Sequence, residues 1–423
     1  MQVDQLVSAD GSRVGRDVFY NPAIYEAERT RIYQRCWLYV AHESQIPESG
    51  DFVASYMGEE PVIVTRQRDG SIGVLVNSCS HRGTRVCRSH EGNARTFTCS
   101  YHGWQFDNDG RLLGVPYTGS YGGELDKSAW GLHRAAKVDH CFGLIFATFD
   151  PEAVPLSDYL GEDLFGYLET VFGRDDGGVR MLGGVHRWRL DCNWKVPVEN
   201  HAPDMIHIDP SHRAAFAALG TDEFWLDQGF QATTEQGHLF AARYLDEDQG
   251  MDDRLPGFGM GAFPSAGPFL RSKQPAADDR LGPVRCRLSP IAATVFPNLS
   301  MVPTNFTIRV SHPRGPGETE IWSWCFVPSD ASDEVASEML ATYENMLGPG
   351  GILEAEDGEN WIAMTSGSRA CRTDGRPYNV GMGIGQEFTH SDLPGSLAPL
   401  WSEHNQRGLY RTWRRWMGAD PRG

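Results

Sequence analysis

The sequence has little clustered positive charge and no long apolar segment. Its 38 Lys and Arg residues stand against 56 Asp and Glu residues, which gives a formal net charge of −18. Because nucleic acids and anionic membrane surfaces attract clustered Lys and Arg, this balance argues against both as partners. The longest strongly apolar run, residues 142–149, is too short to span a bilayer and is predicted to form a buried strand.

Cysteine is also sparse, with 9 in 423 residues. The N-terminus has no positively charged start followed by an apolar stretch, so we expect no secretory signal and a cytoplasmic location. In that reducing compartment, cysteines are expected to be thiols or metal ligands and not disulfides. The length is sufficient for two or three domains with a sizeable buried core.

Residues 38–155 are predicted to form a small all-β domain. Short β-branched segments occur at residues 51–57, 61–66 and 72–76, and Asp69-Gly70 between the last two is typical of a hairpin turn. Before this region, Asn21-Pro22 is typical of a helix start, with a capping residue followed by Pro at the first helical position.

Residues 1–37 and 156–423 are predicted to form a second, α+β domain. Helical patterns and strand-like runs are grouped apart along it, which indicates an antiparallel sheet flanked by helices. Within it, residues 246–277 are rich in Gly, Pro and Asp and are predicted to form a long loop. The helical patterns cover residues 156–172, 333–347 and 403–417, and the strand-like runs cover residues 238–244, 292–296, 306–311 and 320–327.

Two mixed cysteine–histidine loops stand within the β segment, Cys79-Ser-His81 and Cys99-Ser-Tyr-His102. Two thiolates and two imidazoles also form structural zinc sites, but zinc fingers usually pair like ligands in each loop. A Rieske [2Fe–2S] cluster needs both sulfurs on one iron and both imidazoles on the other, which mixed loops supply. Cys87, between the loops, matches no ligand position and is predicted to be a buried thiol.

A second group of metal-ligand residue types follows, with His207 and His212 close to several acids. Pro210 between the two histidines argues against a regular helix across both, and we expect a helix end and a turn there. Two imidazoles and one carboxylate on one face leave positions open at a ferrous ion. Spacing alone leaves four candidates for the carboxylate: Glu354, Glu356, Asp357 and Glu359.

These motifs and nearly the whole chain resemble the large subunits of naphthalene and biphenyl dioxygenases, which are Rieske non-haem iron oxygenases. The resemblance implies an N-terminal Rieske domain and a catalytic domain of the helix-grip type. It identifies His207 and His212 with the D-x-x-H-x₄-H motif, and Asp357 with the carboxylate ligand that follows a GPxG segment. The implied cofactors are a [2Fe–2S] cluster on Cys79, His81, Cys99 and His102, and a mononuclear Fe(II) on His207, His212 and Asp357.

The resemblance also implies how electrons travel and which partners take part. Asp204 is expected to connect His102 of a neighbouring subunit to His207, because the two centres of one chain are usually too far apart. The implied assembly is a homotrimeric ring, α3 or α3β3 with a small β subunit. A ferredoxin or NAD(P)H reductase is expected to supply the electrons, with O₂ hydroxylating an aromatic ring to a cis-dihydrodiol or, with some substrates, a phenol.

Nine positions are expected to line the substrate pocket by correspondence with the family. By this correspondence, the chain departs from the naphthalene enzyme at His201, where an aromatic apolar residue is found, and at Pro290 and Ala292, which replace polar residues. Leu347 and Leu353 stand where bulky aromatic residues are found, and together these departures predict a wider pocket, a polar contact from His201, or both. An aromatic carboxylate substrate would need an Arg in the pocket, for which Arg287 is a weak candidate. The nine positions are Asn200, His201, Ile208, Pro290, Ala292, Val302, Asn305, Leu347 and Leu353.

Three alternatives remain open at this stage. A monooxygenase or demethylase would use the same two iron centres. An electron carrier would need only the Rieske cluster, which leaves His207, His212 and Asp357 unexplained. A zinc-stabilised binding module would be colourless, whereas an iron–sulfur protein is red-brown.

Overall fold

A computed structural model describes residues 3–218, 229–245, 255–257, 260–370 and 375–418. The chain divides into two compact units, one formed by Tyr33–Leu156 and the other by Met1–Ile32 with Ser157–Gly423. No helix of the described residues is long and apolar enough to cross a membrane. The helices are α1 (Pro22–Glu28), α2 (Leu156–Phe172), α3 (Lys195–Asn200), α4 (Ile208–Ala218), α5 (Ala266–Arg285), α6 (Asp333–Leu347), α7 (Ile352–Ser368) and α8 (His404–Gly418).

The strands are short in the smaller unit and longer in the larger one. They are β1 (Arg13–Val14), β2 (Leu38–His42), β3 (Asp51–Met57), β4 (Glu60–Arg66), β5 (Ile72–Val76), β6 (Glu91–Asn93), β7 (Thr96–Thr98), β8 (Gln105–Asp107), β9 (Leu112–Gly114), β10 (Lys137–Cys141), β11 (Leu144–Thr148), β12 (Val179–Leu190), β13 (Gly229–Thr233), β14 (Leu239–Tyr244), β15 (Leu288–Val295), β16 (Leu299–Val302), β17 (Thr307–Pro313), β18 (Thr319–Pro328), β19 (Tyr378–Asn379), β20 (Phe388–His390) and β21 (Leu393–Pro399).

The smaller unit consists of three antiparallel sheets, ordered β5-β4-β3-β6, β7-β8-β9 and β10-β11-β2. The predicted hairpin between β4 and β5 is present, and Gly70 in its turn has φ 86°. Glycine adopts this left-handed conformation without steric cost, which is why the Asp-Gly pair marks the turn. Ile63, Leu75 and Phe106 are fully buried in the core between these sheets.

The larger unit is built on one nine-stranded antiparallel sheet, ordered β12-β18-β17-β16-β15-β14-β13-β21-β20. Strand β17 in this sheet is buried along its whole length. Helix α8 lies against strands β13 and β14 of this sheet. There, Asn405 donates a hydrogen bond to the Phe240 carbonyl at 2.9 Å. An antiparallel sheet flanked by helices confirms the predicted α+β class.

Helix α1 begins where the sequence predicts it. The Asn21 side chain accepts a hydrogen bond from the Ala23 N–H at 2.9 Å, and Pro22 occupies the first helical position. The capping oxygen satisfies an N–H group that has no partner inside the helix, and Pro has no N–H to satisfy.

The predicted loop at residues 246–277 is wrong from Ala266 onward, where α5 begins. Residues 246–254 and 258–259 lie outside the described residues. Glu338 accepts hydrogen bonds from the backbone N–H groups of Ser265 and Ala266 and so caps the helix from a distant segment. Leu270, Ala277 and Leu281 are buried on one face of α5. Composition favoured a loop, but a distant cap and tertiary burial override it.

Candidate metal centres

Cys79 and Cys99 begin two loops of the smaller unit that share one backbone geometry. In each loop, the N–H of a glycine donates to the cysteine carbonyl, from Gly83 to Cys79 at 2.8 Å and from Gly103 to Cys99 at 2.9 Å. Both glycines have positive φ, 75° and 70°. Because other residues rarely adopt this conformation, each glycine allows the tight turn that brings a histidine beside its cysteine.

The two loops bring like side chains together. The ring centroids of His81 and His102 are 4.7 Å apart. Cys79 and Cys99 are both buried, and burial together with the neighbouring Cys99 thiol raises the pKa of Cys79. The Nδ1 atom of His81 is buried and has no hydrogen-bond partner within the described residues. Paired thiols, paired imidazoles and an unpartnered buried nitrogen fit a Rieske [2Fe–2S] cluster.

Trp104 supports the histidine side of this group. Its ring stacks on His81 with a centroid distance of 4.9 Å and an angle of 2° between the planes. The third cysteine of the region, Cys87, donates to the Ser89 carbonyl at 3.5 Å, and burial raises its pKa. Cys87 therefore has the contacts of a buried, inert thiol, in line with the prediction.

Three further side chains meet in the larger unit. His207 immediately precedes α4, His212 lies in α4, and Asp357 lies in α7. One ligand atom from each residue lies within 4.8 Å of the other two. Asp357 Oδ1 is 3.4 Å from His207 Nε2 and 3.2 Å from His212 Nε2. Two imidazoles and one carboxylate in this arrangement suit non-haem ferrous iron.

The predicted helix end and turn between the two histidines is wrong. Helix α4 already begins at Ile208, and the Ser211 N–H donates to the His207 carbonyl at 2.8 Å. Pro210 lies in the first turn of this helix, where a missing N–H removes no intrahelical hydrogen bond. His212 therefore lies about one and a half helical turns after His207, and the two ring centroids are 5.0 Å apart.

The environment of Asp357 fits a bound cation. Its side chain is buried, and Oδ1 accepts no hydrogen bond of favourable geometry from the described residues. Burial by itself would raise the pKa of this carboxyl, but His212 and His207 outweigh that effect and lower it. A buried carboxylate that stays charged beside two imidazole nitrogens is a metal-ligand arrangement.

Each histidine of this group directs its other nitrogen to a fixed acceptor. His207 Nδ1 contacts the Asp204 carbonyl oxygen, and His212 Nδ1 lies 2.8 Å from Glu356 Oε2. With the proton on Nδ1, each ring keeps the Nε2 lone pair for a metal. Acceptors of this kind fix the tautomer and orientation of metal-bound imidazoles.

We expect the substitution Glu356→Gln to weaken Fe(II) binding at this group by about 10-fold, because a neutral amide makes the His212 imidazole less basic than a carboxylate does. Titration of metal-depleted protein with Fe(II) under anaerobic conditions measures the change. Glu359→Gln, at an exposed position of the same helix, is the matched control. Equal affinities of the two variants would contradict the role given to Glu356.

The geometry distinguishes the four acids that spacing leaves open. Of these four, Asp357 faces both Nε2 atoms, whereas Glu356 contacts Nδ1 of His212. Glu354 is held in a buried ion pair, and Glu359 is exposed. These contacts favour Asp357, although its role as a ligand stays a prediction.

Asp204 lies between this group and the protein surface. Its Oδ2 atom is 3.8 Å from His207 Nδ1, and its side chain is 31% exposed. Its Oδ1 atom accepts a hydrogen bond from the Ile206 N–H at 3.1 Å, which fixes the carboxylate. One carboxylate oxygen therefore lies near the ring of a predicted metal ligand, and part of the side chain remains exposed.

Some of the predicted pocket residues lie close to this group. Val302, Leu347 and Leu353 share an apolar cluster with Phe216, whose ring centroid is 6.4 Å from that of His212. Asn200 is nearer still: its Nδ2 atom lies 3.2 Å from His207 Nε2. These four predicted positions provide an apolar surface and one amide beside the imidazoles.

The other predicted pocket residues have different surroundings. Ile208 packs against a cluster that contains Met205. Pro290 lines a cavity of about 20 Å³, and Ala292 is buried in β15. Asn305 is buried, and its Nδ2 atom has no partner within the described residues. That these positions line the substrate pocket stays a prediction.

His201 is held on both sides of its ring. Nδ1 lies 2.7 Å from the Pro197 carbonyl oxygen, and Nε2 lies 3.0 Å from Arg309 Nη1. Burial, reinforced by the Arg309 charge, lowers the pKa of His201 to about 3, so the ring is neutral. Both nitrogens are engaged within the protein, which leaves none for the substrate contact suggested by the sequence.

Arg309 is the buried charge that the sequence interpretation overlooked. It is fully buried, and Nη1 donates to Glu354 Oε2 at 2.8 Å. The sequence could have revealed it, because Arg309 is the one charged residue in the strand-like run at residues 306–311, where an unpaired charge would be costly. Arg287, the weak candidate for a carboxylate contact, instead donates to the Leu245 carbonyl at 2.8 Å and lies over the Tyr244 ring.

Comparison with known families identifies one domain around each of the two groups of residues. Residues 36–129 match the Rieske [2Fe-2S] domain, and residues 179–419 match the catalytic domain of the ring hydroxylating alpha subunit. The chain is 37% identical to the biphenyl dioxygenase subunit alpha of Metapseudomonas furukawaii, over 97% of this chain and 92% of that one. It is 35% identical to a benzene 1,2-dioxygenase subunit alpha of Pseudomonas putida, over 98% and 93%.

Among solved structures, the chain is similar to naphthalene 1,2-dioxygenase with indole bound in its active site. The TM-score is 0.89 at 29% identity, and the match covers 99% of this chain and 95% of that one. The resemblance inferred from the sequence is therefore confirmed. The chain belongs to the family of ring hydroxylating alpha subunits, and it is the terminal oxygenase component of an aromatic ring-hydroxylating dioxygenase with a Rieske [2Fe–2S] cluster and a mononuclear iron as cofactors.

Proposed function

We propose that this chain carries out cis-dihydroxylation of an aromatic substrate, with O₂ as the oxygen source and two electrons and two protons supplied from outside. The observation that carries the proposal is the group His207, His212 and Asp357 beside the apolar cluster of Val302, Leu347 and Leu353. A neutral aromatic ring suits that cluster, because burying apolar surface against it is favourable.

The protein residues have separate roles in this proposal. When bound, the [2Fe–2S] cluster supplies one electron at a time and the ferrous ion supplies reactivity toward O₂. Cys79, Cys99, His81 and His102 would hold the cluster. His207, His212 and Asp357 would hold the iron, and the buried apolar cluster keeps water away from it and holds the substrate ring in place.

Asp204 is proposed to connect His207 with His102 of a neighbouring subunit. Its partly exposed carboxylate, 3.8 Å from the His207 ring, supports this, and so does the incomplete burial of His102. A carboxylate between two metal-bound imidazoles orients both rings. The arrangement requires a ring of subunits, which we propose to be a trimer, α3 or α3β3 with a small β subunit.

A ferredoxin or an NAD(P)H reductase is the proposed electron donor. An aromatic carboxylate is a less suitable substrate, because the buried Arg309 near the pocket is already paired with Glu354. The Glu354 carboxylate already neutralises the charge of Arg309 before any substrate binds. The described cysteines are free thiols, in keeping with a cytoplasmic location, which stays a prediction.

Product analysis under ¹⁸O₂ tests the reaction type. The reconstituted protein would be supplied with an electron donor and with biphenyl, benzene or naphthalene, the compounds named for its relatives. We expect a cis-dihydrodiol in which both oxygen atoms carry the label from one O₂ molecule. A phenol with a single labelled oxygen, formed under conditions in which an added cis-dihydrodiol does not lose water, would instead assign a monooxygenase. An absence of oxygenated product from all three would contradict the proposed substrate class.

A further inference from the structure

Arg309 holds three separate segments of the larger unit together. It lies in β17, and its side chain is 0% exposed. Nη1 donates to Glu354 Oε2 at 2.8 Å and lies 3.0 Å from His201 Nε2, while Nη2 donates to the Leu347 carbonyl at 3.2 Å. One guanidinium therefore contacts the residue after α3, the last residue of α6 and the first turn of α7.

One of these segments carries a proposed iron ligand, and a second carries a residue that contacts one. Glu354 precedes Asp357 by nearly one helical turn in α7, so its ion pair restrains the part of the helix that presents the carboxylate. His201 follows Asn200, whose amide lies 3.2 Å from His207 Nε2. Movement of α7 would change the separation of Asp357 from the two imidazoles, and movement at His201 would shift the Asn200 amide beside His207.

The charged residues in this buried group, Arg309 and Glu354, indicate a role other than packing. Removing a guanidinium and a carboxylate from water is costly, and apolar residues of similar size often stabilise a core as well or better. What the ion pair adds is direction, since a planar guanidinium fixes the angles of several acceptors at once. Metal sites need this, because a small displacement of one ligand lowers affinity.

We propose that Arg309 is a positioning residue for the mononuclear iron site, acting through Glu354 and His201 on the segments that bear Asp357 and Asn200. The inference rests on the proposed function of His207, His212 and Asp357. It concerns the residues that hold the ligand-bearing segments in place, and it requires no contact between Arg309 and the metal.

The test compares Fe(II) binding to protein depleted of its mononuclear iron but retaining the [2Fe–2S] cluster, and the EPR signal of the ferrous site after addition of nitric oxide. We expect Arg309→Met to weaken Fe(II) affinity by about 10-fold to 100-fold and to broaden that signal. The EPR signal of the reduced Rieske cluster, in the other unit, should not change. Arg309→Lys keeps the charge but lacks the planar fork, and it is expected to show a smaller change in the same direction.

A double variant separates positioning from stability. Arg309→Met with Glu354→Leu removes the whole ion pair, so no buried charge is left unpaired and the melting temperature should recover. If Arg309 positions the site, iron affinity and the nitric oxide signal stay altered in the double variant. The control is Arg407→Met, which removes another buried arginine, one paired with Glu387, and should leave the iron signal unchanged.

The outcomes distinguish this inference from the proposed function. Should the unsubstituted protein bind no mononuclear iron and give no nitric oxide signal, the proposed function fails whatever Arg309 does. Should it bind iron normally while Arg309→Lys and the double variant match it in affinity and signal, the positioning role alone is wrong. Recovery of both melting temperature and iron affinity in the double variant would likewise reduce Arg309 to a stabilising residue.

Discussion

Replacing Asp357 with alanine is expected to abolish turnover while leaving the Rieske cluster intact. Asp357 supplies the carboxylate of the predicted ligand group, with Oδ1 3.4 Å and 3.2 Å from the two imidazole nitrogens. Without it, two neutral imidazoles remain, which hold Fe(II) weakly because the charge of the carboxylate is lost. Product formation should fall below detection, and one iron should be lost from each chain.

Two measurements check this prediction together. Iron analysis should show the loss of the mononuclear iron, and the visible and EPR spectra of the cluster should match those of the unsubstituted protein. Glu359→Ala removes an exposed carboxylate from the same helix and should retain iron and activity. Undiminished turnover by the Asp357 variant would mean that another group provides the carboxylate.

The substitution Asp204→Asn is expected to separate the two centres functionally. Asn has nearly the shape of Asp but no charge, so both metal centres should remain loaded. The charge of the carboxylate proposed to connect His207 with His102 of a neighbouring subunit would be lost, and steady-state turnover should fall by about 100-fold. Single-turnover experiments should show that the reduced cluster transfers its electron slowly, with substrate affinity unchanged.

Asp209→Asn is the matched control for that experiment. Asp209 lies five residues further along the chain, and its carboxylate pairs with Arg213 at the surface of α4. It does not contact either imidazole within the described residues, so its loss should not affect electron transfer. Equal transfer rates in the Asp204 and Asp209 variants would remove Asp204 from the electron route.

The sequence predicts those features that depend on local residue patterns. The turn at Asp69-Gly70 and the cap at Asn21 are both set by nearby residues, and both are found. The two cysteine–histidine loops can be predicted for the same reason, because the spacing from each cysteine to Gly83 or Gly103 determines the turn. The predicted ligand set of these two loops thus depends on the local sequence.

Features that depend on distant contacts could not be predicted in this way. Helix α5 begins where Glu338, far along the chain, accepts its first N–H groups. That Asp357 and not Glu354 is favoured as the carboxylate ligand likewise depends on Arg309, because Arg309 holds Glu354 in an ion pair away from the imidazoles. Side-chain pattern identifies candidate acids, but only packing decides which acid faces the imidazoles.

His201 illustrates the same limit within the predicted pocket. The sequence has a polar ring where the resemblance implies an apolar one in the naphthalene enzyme, which suggests a substrate contact. The structure uses both nitrogens elsewhere, on the Pro197 carbonyl and Arg309. Which partner a buried imidazole takes depends on the strand opposite, and β17 supplies an arginine there.

We expect each chain to carry a mononuclear iron on His207, His212 and Asp357 in addition to its [2Fe–2S] cluster. The ratio of iron to acid-labile sulfide in anaerobically prepared and reconstituted protein measures this. About three iron ions for every two sulfide ions are expected in each chain. A ratio of one iron to one sulfide, with no EPR signal from nitric oxide at a ferrous site, would contradict it.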